Sequence, residues 1–123
     1  MTVYLIDAAL DAELDYIRNN VTERYICAGN PTTRAAAITA ALCTLTGLTS
    51  GNFSTVVDGD TNGRKVTKLA ETGDGIDVDG AADTVCYCSG TTLLWRVDGD
   101  SQALTTGGTV DTAAHDHEAA DAV

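Results

Sequence analysis

The sequence predicts a mainly β protein: an antiparallel β-sandwich or small barrel with one N-terminal α-helix. Three observations carry this. Short Thr- and Val-rich runs recur down the chain, separated by turn-forming stretches such as DGDTNG, ETGDG, DGAAD and TGG. Only one stretch, residues 5–21, repeats apolar residues at helical spacing. The composition is rich in Thr, Ala, Asp and Gly, with 12 Gly, one Pro and 5% aromatic residues, which suits a sheet protein with many turns. At 123 residues and 44% hydrophobic content, the chain is long enough to bury a core and is expected to form a single domain over 1–123.

Within the helix, Ile6, Leu10, Leu14, Ile17 and Val21 form one stripe, and Asp7, Asp11, Asp15 and Arg18 occupy the other side. Asp7 and Asp11 suit the positive end of the macrodipole, and Asn19-Asn20 marks the stop. The helix is expected to pack on a β-rich body spanning 24–118. Residues 24–28 read as the first strand, ended by Gly29-Asn30-Pro31, after which Thr33 can cap a short helical turn. Residues 38–46 read as extended, with helix the alternative for the alanines. Further strands are expected at 53–57, 64–70, 75–79, 84–88, 92–97, 102–106 and 109–112, and AAHDHEAADAV reads as a last strand with a frayed end. Alternation places Leu93, Trp95 and Val97 on one face, and sends Cys86 and Cys88 into the core with Tyr87 outward.

The formal charge is −11, from 18 acids against 7 bases. That balance argues against nucleic acid as a partner, because phosphate binding needs a basic face, and equally against anionic membrane surfaces. No apolar run approaches the roughly 20 residues of a membrane span, and MTVYLIDAALDAELDYIRNN lacks the basic start and apolar core of a signal peptide. Synthesis in the cytoplasm is the expectation.

Little in the chain points to catalysis or to a resident ion. D-G-D-T-N-G at 58–63 begins as calcium loops begin, with Asp58, Asp60 and Asn62 at positions one, three and five. Position eight is then Lys65 and position twelve Leu69, so the EF-hand pattern fails; a hairpin loop is the expectation, and a weak surface ion on Asp58, Asp60 and Asn62 is the alternative. His115 and His117 share one side of an extended segment, with no third ligand set by the sequence. Cys27, Cys43, Cys86 and Cys88 lack the paired C-x2-4-C knuckles of structural zinc. Core thiols are the expectation, with zinc or disulfide as alternatives. No serine sits in a G-x-S-x-G elbow and no Gly-rich phosphate loop opens a helix, so neither an enzyme nor a cofactor is expected.

The order of segments carries more. R-Y-I-C-A-G-N-P-T-T-R-A-A-A is followed by G-N-F-S-T-V-V-D-G-D-T-N-G-R-K-V-T, D-T-V-C-Y-C-S-G-T-T-L-L-W-R-V and S-Q-A-L-T-T-G-G-T-V. Over nearly the whole chain this resembles a family of small virion structural proteins of tailed bacteriophages and prophages, its most specific pieces lying at 27–33, 59–66 and 101–110. The resemblance implies a capsid decoration, or cement, protein on the outside of a phage head. Its partner would be the major capsid protein, its self-association trimeric, and its location the virion surface. A tail or adaptor component is the first alternative, and a displayed glycan- or calcium-binding module the second. No catalytic residue carries over. The scarce cations Arg34, Arg64, Lys65 and Lys68 are the candidate partner contacts, with ordinary offsetting of nearby acids as the alternative.

Overall fold

Helix α1 (Asp7–Asn20) forms where the apolar stripe predicts it. In the computed structural model, which describes residues 7–60 and 63–119, Leu10, Leu14, Ile17 and the following Val21 are all buried. Burial of side chains of this size is worth about 1.5–3 kcal/mol each, so the stripe rather than helix propensity holds α1. The helix closes with Asn20 Nδ2 donating to Tyr16 O at 2.8 Å. Residues 5 and 6, which the sequence also places in the helix, lie outside the described residues.

Strand β1 (Glu23–Cys27) follows, then helix α2 (Arg34–Ala40) and β2 (Ala41–Thr46). Thr33 caps α2 as expected, its Oγ1 accepting from Ala36 N at 3.1 Å. The region expected to be extended from 38 is helical up to Ala40 and a strand only beyond it. A 3-10 turn (Ser50–Asn52) leads to β3 (Val57–Asp58), β4 (Arg64–Lys68), β5 (Glu71–Gly75), β6 (Gly80–Cys88), β7 (Leu93–Leu104), β8 (Thr109–Thr112) and β9 (His115–Ala119). The protein is mainly β, and its strands build one curled antiparallel sheet system with the N-terminal helix against it. The ladders run β2-β1-β6-β7, β3-β4-β9 and β5-β8, every pairing antiparallel.

The two central strands, β1 and β6, are covered on both faces. On one side Tyr87 and Trp95 join Leu10, Leu14, Ile17, Val21, Phe53 and Val66 under α1. On the other, Cys27, Cys86 and Cys88 pack with Tyr25 and Ala37 beneath α2. A third cluster, Ile26, Leu42, Cys43, Ile76 and Leu104, fills the end near β5 and β8. All four cysteines are buried free thiols that pack as core residues.

Several expectations need correction. Tyr87 does not face outward: it is fully buried, because the Y-I-C and V-C-Y-C runs are apolar on both faces and the strands they form are covered on both. Leu93 does not share the face of Trp95 and Val97, since the register slips between Tyr87 and Cys88, leaving Trp95 opposite Tyr87 and Leu93 opposite Cys88. The strand expected at 75–79 lies upstream, at 71–75. The strands expected at 92–97 and 102–106 are one strand, 93–104. The D-G-D between them is a bulge, not a turn: β6 advances from Thr84 to Ala82 while β7 advances from Asp98 to Gln102.

Candidate functional site

The charged hairpin β3–β4 and its neighbour β9 gather most of the candidate residues. Val57 pairs with Lys65 and Asp58 with Arg64, and Gly59 N donates to Gly63 O at 2.9 Å. Gly63 stands at φ 70°, a left-handed angle that glycine adopts without strain. D-G-D-T-N-G is therefore a hairpin connection, as its turn residues predict. Its acids are engaged by the cations that follow them: Arg64 Nη1 lies 2.5 Å from Asp58 Oδ1, and Lys65 Nζ lies 2.7 Å from Asp60 Oδ1. Asn62, the third candidate ion ligand, lies outside the described residues. Among the described residues no three His, Cys, Asp or Glu side chains converge as a metal-ligand set.

The four candidate partner cations each hold a carboxylate of their own chain. Arg34 grips Glu23 with two bonds, at 2.8 and 2.9 Å, and this draws the Glu23 carboxyl below its usual pKa. Arg64 also reaches back to Asp11 at 2.7 Å, tying α1 to the hairpin. Lys65 adds Asp116 on β9 at 3.3 Å, and the hydrogen bonds from Thr67 and Lys65 hold Asp116 below the ordinary carboxylate range. Lys68 is not a surface cation at all. Its side chain is fully buried, with Nζ 2.9 Å from Glu71 Oε1, 2.8 Å from Leu69 O and 5.9 Å above the centre of the Phe53 ring. The structure thus places Arg34 apart from the other three and pairs all four with acids of their own chain.

His115 and His117 do lie on one side of β9, and both meet Trp95, at 5.2 and 5.1 Å between ring centres. His115 Nδ1 stands 2.9 Å from Ala113 O, which can only accept. In the neutral ring Nδ1 therefore carries the proton, and Nε2 accepts from the Tyr87 hydroxyl at 2.8 Å. His117 faces Glu13 of α1 at 3.8 Å, and its burial keeps its pKa below the ordinary value. The pair cross-links β9 to the core, with Tyr87 stacked on Trp95 at 4.7 Å.

Three further features went unnoticed in the sequence. Arg24 is fully buried, its Nη2 2.8 Å from Asp74 Oδ2 and its Nη1 donating to Thr112 Oγ1 at 3.2 Å. Nothing local marked it, because both partners come from distant strands. In the second cluster Cys27 Sγ donates to Ala37 O at 3.3 Å, and the neighbouring Cys86 thiol and burial push the Cys27 pKa up, while burial lifts Cys88 to about 11. A cavity of about 220 Å³ opens between β6–β7 and the β8 segment, over the bulge at 98–102. Its floor is aliphatic, from Val85, Val97, Leu104 and Val110, and its rim carries Asp83 and Asp111.

No protein-family model, curated protein or solved structure matches the chain.

Proposed function

We propose that this chain is a virion structural protein, a capsid decoration protein that binds the outside of a phage head and bridges neighbouring major capsid subunits. The observation that carries the reading is the ordered resemblance along nearly the whole sequence, in which 27–33, 59–66 and 101–110 are the most specific pieces. Each of these pieces contains a glycine at positive φ: Gly29 at 74°, Gly63 at 70° and Gly107 at 90°. The resemblance therefore rests on backbone turns, which specify a fold and not a reaction. The acidic charge suits display on a particle surface, where like-charged copies stay dispersed in solution until they dock.

The reading is tested by adding the purified chain to heads assembled from the major capsid protein of the phage or prophage that encodes it. Saturable co-sedimentation at a fixed number of copies per capsid subunit is expected. Heads that sediment bare at every concentration would refute it.

A further inference from the structure

From the groove between β6–β7 and β8 we infer a docking socket for a single lysine side chain of a protein partner. The inference is separate from the virion reading and would hold for any protein that binds this chain.

Size comes first. Sites for small organic ligands usually measure roughly 300–1,000 Å³, whereas this groove is about 220 Å³. It suits one long side chain better than a cofactor. Its floor of Val85, Val97, Leu104 and Val110 offers aliphatic contact to a methylene stem. Its lining also carries two carboxylates, Asp83 and Asp111, with Thr84, Gln102 and Thr112 the remaining polar side chains; among the described residues no Lys, Arg or His lines it. Both acids are held in place by backbone donors: Gly29 N lies 2.8 Å from Asp83 Oδ2, and Gly73 N lies 2.8 Å from Asp111 Oδ1. The nearest buried cation, Arg24, reaches the wall through Thr112 but is paired with Asp74, so it leaves the rim acids uncompensated. The mouth is open at Gly99, where an added Cβ would meet nothing within 4 Å.

An aliphatic floor with a negative rim is complementary to an apolar stem ending in an ammonium. A carboxylate guest would face both rim acids and the field of a chain at −11. A purely apolar guest would fill the floor and leave the rim unused. Lysine uses both, and its mobile ammonium needs no bidentate partner.

The test is a two-dimensional amide NMR titration of the full chain with n-butylammonium, butyrate, and two capped tripeptides, Gly-Lys-Gly and Gly-norleucine-Gly. Butylammonium and the lysine peptide are expected to move the amides of Val85, Val97, Leu104 and Val110 saturably, with dissociation constants on the order of millimolar. Butyrate and the norleucine peptide are expected to bind at least fivefold more weakly. Asp83→Asn with Asp111→Asn keeps both acceptor oxygens for the Gly29 and Gly73 amides, and should weaken the lysine peptide at least fivefold. Gly99→Leu, whose Cβ would meet nothing within 4 Å, places a bulky side chain in the groove's lining, should weaken binding and serves as a second variant should the double substitution fail to fold. Equal binding of the norleucine peptide, shifts scattered over the acidic surface, or no saturable shift at these four valine and leucine amides would overturn the inference. So would butylammonium binding without the lysine peptide, since the groove would then take a free amine and not a side chain.

Discussion

Lys68 shows how an ammonium can be kept inside a small acidic protein. It gives up water entirely and receives Glu71, the Leu69 carbonyl and the face of Phe53 in return. Removing one partner of such a buried pair costs about 3–5 kcal/mol, because the other is left without compensation. Glu71→Ala, which leaves the fully buried Lys68 ammonium without its carboxylate, is therefore expected to lower stability by roughly that amount in chemical denaturation. Arg34→Ala, which breaks a part-exposed pair with Glu23, is expected to cost about 1 kcal/mol or less. Equal losses for the two variants would contradict the different environments of these cations. Tyr87 makes a smaller and separable contribution. Tyr87→Phe keeps the stack on Trp95 but deprives His115 Nε2 of its donor, with an expected loss of about 0.5–1.5 kcal/mol.

At the scale of elements, α1 and β9 are held to the body by a few specific contacts. Leu14 is fully buried at the centre of the α1 stripe, and Leu14→Ala is expected to cost about 2–5 kcal/mol. His117 joins β9 to α1 through Glu13, and burial depresses its pKa in the folded protein. The folded state thus binds this proton less readily than the unfolded chain does. The resulting stability is complete above the unfolded value near 6.5 and is lost as pH falls through the lower folded value. Between pH 7.5 and 5, wild-type protein should lose stability relative to His117→Gln; parallel stability curves would contradict this. The Glu23 and Asp116 carboxyls titrate below that window.

The same elements show what could be read in advance. The α1 stripe and the D-G-D-T-N-G hairpin were legible because helical period and turn chemistry are local. The D-G-D at 98–100 carries the same turn residues, yet it lies within β7, because its place is decided by register against β6. Whether Tyr87 or Cys86 faced the core could not be told from alternation, since both faces are covered. Arg24 and Lys68 were misjudged or missed for a related reason: burial follows from tertiary placement, and the Arg24 partner is fifty residues away at Asp74. The groove draws on β1, β6, β7 and β8, so no contiguous motif announces it.

For the whole molecule, charge is arranged asymmetrically. Among the described residues Arg24, Arg34, Arg64, Lys65, Lys68 and Arg96 hold carboxylates of the same chain. The cations thus stitch elements together, and the surplus of acid is what the outside presents. The core runs from α1 through both faces of the central strands to β9, which predicts one cooperative unfolding transition. Fluorescence of Trp95, the single tryptophan, and far-UV ellipticity should trace the same melting curve; two separated midpoints would break the chain into independent units. On the proposed virion reading, the acidic outer surface is what such a protein would present on a particle. The most direct test of the proposed virion reading is a cryo-EM map of phage particles assembled with the chain present. The account predicts density for the curled sheet and its N-terminal helix on the outside of the head, bridging neighbouring capsid subunits. Density inside the shell, or on the tail alone, would contradict it.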